Sequence, residues 1–187
     1  ALIAFSAIKN NDRVGLLTFT DRVENFIPPK KGKKHVLRVI REILAPEVEG
    51  RRTNLPQALE YLTRVSRKRS VAFVISDFMD ENFEQSLKIA NRRHEVIPVV
   101  IIDPMEERLP DIGIVHFEDP ETGEIIPVDT SSRAVRQAFE ARMAAVHSAR
   151  QKLFQRLKMD SLTIHTERDH IEPVVQYFKK RARGGAR

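Results

Sequence analysis

The sequence contains no cysteine. That excludes a disulfide framework and any thiolate-held metal, and it fits a reducing, cytoplasmic setting. There is no tryptophan and there are two tyrosines, too few for a surface that stacks nucleobases. No apolar run approaches the roughly 20 residues that a membrane-spanning helix needs, so no membrane segment is expected. Glycine is sparse, at 7 of 187 residues, and no GxxxxGK[ST] phosphate loop is present. The six histidines (His35, His94, His116, His147, His165 and His170) are scattered with no HExxH pair, so zinc is not expected. No serine stands in a GxSxG elbow.

What is present is a globular composition, 41% hydrophobic and 31% charged, with a net charge of +6. The length suits one good-sized domain. Lys30, Lys31, Lys33, Lys34, Arg38 and Arg41 run without an acid between them, as do Lys179, Lys180, Arg181, Arg183 and Arg187 at the tail. Such runs attract nucleic acid or acidic partners. The plainer reading is a solvated helix face and a frayed terminus, and nucleic acid is not the expected partner.

The organising stretch is Ser70 to Asp80, SVAFVISDFMD. Val71 to Ile75 is a short unbroken apolar run, which predicts a strand buried on both faces. Ser76 and Asp77 follow at its carboxyl end, the place where open α/β sheets bind ligands.

Ahead of it, Ala1, Ala4, Phe5 and Ile8 share a helix face with no cap before them, so the chain reads as a fragment or a processed chain with residues upstream. Asn10-Asn11-Asp12 is a turn, Val14 to Phe19 a strand, and Val23 to Ile27 an edge strand stopped by Pro28-Pro29. A helix follows from His35 to Leu44, ended by Pro46, and another starts around Pro56 with Leu55, Ala58, Leu59, Leu62 and Val65 as its buried stripe. Asp80 is read as the N-cap of the helix bearing Phe83, Leu87 and Ala90. Glu95 to Ile102 is a third strand, in which Pro98 argues for a free edge or a bulge.

Residues 111–129 read as a hairpin turned at Asp119-Pro120-Glu121-Thr122-Gly123. A long helix from Ser132 to about Lys158 is expected to align Val135, Ala138, Phe139, Val146, Ala149, Leu153 and Leu157. Leu162 to His165 is a last strand, and Asp169 with Glu172 caps a final helix bearing Ile171, Val174, Val175 and Phe178. The alternation predicts an α/β sheet with helices on both faces. A single partial domain is expected over 1–187, with a core at 1–105 and a hairpin, long helix, strand and helix over 106–187.

Thr53, in the polar loop before the Pro56 helix, and Asp77 offer hard oxygen atoms, with Ser76 and Asp103 as additional donors. Mg²⁺ takes oxygen ligands in an octahedron and keeps several waters, so these residues make part of a shell. The bland alternative is that Asp77 caps a turn and Thr53 its helix. Asp103, Glu106 and Glu107 could serve phosphoryl transfer beside Asp77.

The stretches NNDRVGLLTFTDRVENFIPPKKGKKHVLRVIRE, RRTNLPQAL, VISDFMD, DPMEERLP and FEDPETGE together resemble the bacterial domain-of-unknown-function family fifty-eight, which is similar to von Willebrand factor type A domains. The resemblance implies a Rossmann-like sheet and a metal-ion-dependent adhesion site. That site is built from an Asp-x-Ser-x-Ser motif, a threonine matched by Thr53 and an aspartate matched by Asp77. The Asp-x-Ser-x-Ser motif has no match here. With it goes the central first strand, expected between the strands at Val14 and Val71. Either upstream residues supply that strand, or the two flanking strands pair directly, or another chain supplies it, which would favour a homodimer.

By the resemblance, the chain is a non-catalytic protein-interaction module. Mg²⁺ or Mn²⁺ would be bound by the full-length protein rather than by this fragment, and would bridge to an acidic residue of a partner such as a MoxR-type AAA+ ATPase. The alternatives are a magnesium-dependent phosphoryl-transfer enzyme using Asp77 and Asp103, and a basic nucleic-acid-binding domain.

Overall fold

The computed structural model describes residues 2–45, 50, 52–80, 82–119, 122–169 and 171–184. Ala1, Pro46, Pro120, Glu121, His170 and Arg187, which the sequence reading used, lie outside them. The chain is a mixed α/β protein of two compact units, the first made of residues 1–70, 80–95 and 174–187 and the second of 71–79 and 96–173.

The first unit opens with α1 (Leu2–Lys9) and a hairpin of β1 (Val14–Phe19) and β2 (Val23–Lys30). Then come α2 (Lys33–Leu44) and α3 (Leu55–Val65), with α4 (Glu84–Arg93) after a gap in sequence. Its core brings Ala4 of α1 against Val36 and Ile40 of α2, with Ile8 and Val14 packed on them. These apolar residues recur every three or four positions, so one stripe of each helix is buried. Leu55, Ala58 and Leu59 of α3 are likewise buried, as are Leu87 and Ala90 of α4.

β2 does not stop at Pro28 but continues to Lys30. The register jumps from Val14↔Lys30 to Leu16↔Ile27, so Pro28 and Pro29 lie in a bulge where no ladder hydrogen bond is asked of them. Gly15 stands opposite, where a Cβ would come within 2.9 Å of the Ile27 carbonyl oxygen. Phe83 stands at the N-cap position of α4 without a side-chain bond, and Asp80 Oδ2 accepts from the Leu55 amide at 2.6 Å, at the start of α3.

In the second unit, β3 (Val71–Ser76), β4 (Glu95–Ile102) and β7 (Leu162–His165) form one sheet in the order β3-β4-β7, with β4 and β7 parallel. The short α5 (Pro104–Glu107), the antiparallel hairpin β5 (Ile114–Glu118) with β6 (Ile125–Asp129), and α6 (Arg133–Arg156) complete it. α7 (Ile171–Gly184) ends the described chain, and Asp169 Oδ1 accepts from its first amide at 2.8 Å.

Two expectations are corrected in this unit. β3 is not buried on both faces: Val71 is 46% and Ile75 56% exposed, and among the described residues β4 is its one partner. Pro98 is fully buried in the middle strand, yet its side toward β7 is free at that position, as its presence in a strand requires. The β7 ladder begins only at Val99↔Leu162, so the missing amide of Pro98 costs no bond to β7. On α6, Ala138 and Ala149 are exposed, and the two buried side chains are Arg150 and Phe154. Among the described residues β1 is hydrogen-bonded to β2 and β3 to β4, so direct pairing of the Val14 and Val71 strands, one of the three alternatives, is not found.

Candidate cation site

β3 ends at Ser76, and its last residues fold back on their own backbone. Ser76 Oγ accepts from the Phe78 amide at 3.0 Å and donates to Asp77 Oδ1 at 3.3 Å, while Asp77 Oδ1 accepts from the Met79 amide at 3.0 Å. Asp77 is exposed, and its Oδ2 has no hydrogen-bond partner among the described residues. The turn is tight enough to hold Phe78 at φ 56, a left-handed conformation that costs a bulky residue about 1–2 kcal/mol.

Two side chains of α6, one turn apart, hold that conformation. Arg150 Nη1 donates to the Asp77 carbonyl oxygen at 2.5 Å. Phe154 meets the buried Phe78 ring edge to face, with centroids 5.3 Å apart. Residues i and i+4 share a helix face, so a single surface of α6 grips both the main chain and the side chain of the turn.

Asp103 follows β4. Its Oδ1 accepts from the Met105 amide at 2.9 Å as the N-cap of α5, and its Oδ2 accepts from Thr166 Oγ1 at 3.0 Å. Thr166 itself is fixed by its amide, which donates to the Ile102 carbonyl at 3.0 Å. Glu106, on α5, is pushed above the usual carboxylate range, first by burial and then by the negative charges of Asp77 and Asp103. A hydrogen bond from the Asp103 backbone and the charge of Arg150 act against that shift. Asp77, Asp103, Glu106 and Arg150 therefore share one corner at the carboxyl ends of β3 and β4.

The donors are hard oxygen atoms, which suit Mg²⁺ or Mn²⁺ in kind. In number they fall short. Both Asp103 oxygens and one Asp77 oxygen are already engaged, and no group of three or more His, Cys, Asp or Glu residues that could hold a metal occurs among the described residues.

Thr53 belongs to the first unit. It is exposed and does not cap α3, because Asn54 takes that role, its Oδ1 accepting from the Gln57 amide at 3.0 Å. Two histidines that look scattered in sequence converge on one carboxylate of the second unit. His147 Nδ1 lies 3.8 Å from Glu107 Oε1, and His165 Nδ1 lies 3.9 Å from Oε2. Sequence reasoning missed Arg150 and Phe154. The available signal was a lone arginine inside the apolar stripe of α6, where Ala149 had been assigned the inward position.

Residues 1–150 match the family described as protein of unknown function DUF58. The chain belongs to this DUF58 family. Among curated relatives, the uncharacterized protein Rv1480 of Mycobacterium tuberculosis is 31% identical over 188 residues, a span of 98% of this chain and 59% of that protein. The chain thus spans about three-fifths of the length of such relatives. The uncharacterized protein MAV169 of Mycobacterium avium is 34% identical over 162 residues, covering 84% of this chain and 95% of that protein. A solved structure, the conserved hypothetical protein BatB from Bacteroides thetaiotaomicron, superposes with a TM-score of 0.54 at 17% identity, over 97% of this chain and 86% of that one. That likeness concerns fold alone. No helix among the described residues is long and apolar enough to cross a membrane.

Proposed function

We propose that this chain is part of a non-catalytic protein-interaction module of von Willebrand factor A type, whose complete form binds a partner through a divalent cation. The observation that best supports the reading is the Ser76-Asp77 turn. It is an exposed carboxylate with one free oxygen, at a strand end, on a backbone braced by Arg150 and Phe154. Binding sites need such pre-set geometry, because ordering a loop at the moment of binding costs affinity.

By the family resemblance, Thr53 is a second donor, Ser76 and Asp103 are accessory ones, and the cation is Mg²⁺ or Mn²⁺. When bound, such a cation offers an open coordination position to an acidic side chain of the partner. The reading needs more oxygen ligands and one more strand. It assigns both to residues outside 1–187 or to a second chain, which would complete a single Rossmann-like sheet with helices on both faces. β3, an edge with Val71 and Ile75 exposed, is suited to receive a strand. The partner proposed from the resemblance is a MoxR-type AAA+ ATPase, in a cytoplasmic setting.

The phosphoryl-transfer reading is weakened by Asp103, whose two oxygens are committed to Met105 and Thr166. It would be revived by a turnover that Asp77→Asn abolishes. The nucleic-acid reading rests on Lys30, Lys31, Lys33, Lys34, Arg38 and Arg41, all exposed. It requires affinity that falls steeply with salt. For the proposed module, partner binding by the full-length protein is measured with and without EDTA. Loss on chelation and recovery with Mg²⁺ supports the cation bridge, and binding indifferent to EDTA rejects it.

A further inference from the structure

We infer that the exposed face of α2 is a docking surface for an anionic lipid bilayer. The inference stands apart from the cation reading and uses the first unit alone. Lys34, Leu37, Arg38, Arg41 and Leu44 recur every three or four positions, so they form one exposed stripe of α2. Val36, Val39 and Ile40 hold the other side of the helix in the core. Lys33 opens the helix, and Lys30 and Lys31 lead into it. All six cations are exposed, and none has a side-chain hydrogen bond or ion pair among the described residues. Glu42, the one acid of α2, is half-buried and accepts from Asn25 Nδ2 at 2.5 Å, so it does not neutralise the stripe.

Two features go beyond an ordinary solvated face. First, α2 has no acid in its first turn and no side-chain cap at Gly32, and it sets Lys33 and Lys34 at the positive end of its own dipole. That placement works against the helix, and solubility does not explain it, since acids there would serve solubility as well. Second, Leu37 is 45% and Leu44 75% exposed, and both lie on the same stripe as the cations. One exposed leucine on a surface is ordinary. Two of them, two helical turns apart among cations, match a helix that lies on an anionic bilayer. There the cations meet headgroup phosphates and carboxylates while the apolar side chains enter the acyl boundary. The long lysine and arginine stems reach the headgroups from a helix lying flat on the surface. Nucleic acid would engage the same cations but gives the leucines nothing to bury against. An acidic protein surface would have to fix six flexible side chains at an entropic cost, whereas mobile headgroups gather around them.

The test is cosedimentation of the full 187-residue chain with vesicles of phosphatidylcholine alone and of phosphatidylcholine mixed with phosphatidylserine, across a salt series. The chain is expected to bind the mixed vesicles, more weakly as salt rises, and to leave the neutral ones in solution. Arg38→Gln with Arg41→Gln is expected to lower affinity about 20-fold, at roughly fivefold per cation. Lys179→Gln with Lys180→Gln removes the same charge from the other basic run and is expected to change little. Leu37→Ser with Leu44→Ser keeps the charge and is expected to weaken binding about tenfold. All these positions are exposed, so the fold is expected to survive, and circular dichroism of each variant checks it. Equal binding of both vesicles, equal losses from the two charge pairs, or no loss from the leucine pair overturns the inference. Tighter binding to duplex DNA than to the mixed vesicles, indifferent to the leucines, also overturns it and assigns the face to nucleic acid.

Discussion

Arg150 donates a hydrogen bond to the main-chain oxygen of Asp77, a residue 73 positions earlier in the chain. Arg150 is 8% exposed, so burial disfavours its charge, while Asp77 and Glu106 favour it. The guanidinium satisfies a carbonyl that the tight turn leaves without a ladder partner, and it offsets the acids around it. Replacing Arg150 by methionine removes both effects. Loss of a hydrogen bond from a charged donor costs about 1.5–3 kcal/mol, which for a chain of this size lowers Tm by about 3–12 °C. Lysine keeps the charge but not the planar fork and is expected to fall between methionine and wild type. A methionine variant that melts within about 1 °C of wild type would show that the brace contributes nothing.

Glu106 is expected to behave in the opposite sense. Burial and two like-charged neighbours push its carboxyl up, so the ionised form strains the folded state. Glu106→Gln removes that charge and is expected to raise Tm in metal-free buffer by about 1–2 °C, a small gain because the half-buried group is partly screened and Arg150 offsets part of the repulsion. A fall in Tm would mean that the attraction of Arg150 outweighs the repulsion.

Stability is expected to fall on the acid side of neutrality. Burial holds His94 and His147 below the ordinary histidine value of 6.5, assisted by Arg93 and Arg150 respectively. The unfolded chain therefore takes up protons first as pH drops through 6.5, and the folded state loses stability from there downward. His94 is 1% exposed, with Nδ1 3.2 Å from Ser70 Oγ and Nε2 without a hydrogen-bond partner among the described residues. Glu24 and Asp129 act lower down. Their carboxyls are held below 4.5 and 3.8 by hydrogen bonds from Thr20 and Ser131, so their contribution is fully present above those values and is lost as pH falls through the depressed ones. Urea unfolding at pH 8, 6.5, 5 and 4 reads the slope. A profile that is flat or rising toward acid would contradict the buried, neutral histidines.

Most of the elements were legible in the sequence because their apolar periodicity is strong, as in α2, α3, β1 and β4. The failures share a physical cause, which is that local rules cannot see a distant partner. Asp80 has the chemistry of an N-cap and stands before α4, but nothing local shows that its Oδ2 also accepts from Leu55, 25 residues back. Ala149 outranked Arg150 for burial on hydrophobicity, until the Asp77 carbonyl supplied what a buried guanidinium needs. Of the candidate site, Asp77, Asp103 and Glu106 are legible from their place at and just after strand ends, and they share a corner. Thr53 rests on the family resemblance alone. Arg150, which braces the Asp77 turn, has only the weak signal of a lone arginine in an apolar stripe, and Phe154 reads as ordinary core.

The central proposal is a divalent-cation site in the full-length protein to which Asp77 and, by the family resemblance, Thr53 contribute oxygen ligands. The most direct test is titration calorimetry of Mg²⁺ and Mn²⁺ into this chain and into the full-length protein, with Thr53→Ala and Asp77→Asn as controls. The account predicts binding by the full-length protein, its loss in Asp77→Asn, its weakening in Thr53→Ala, and little or none by residues 1–187 alone. Full-length protein that binds neither cation, or binds them equally well after Asp77→Asn, would contradict it.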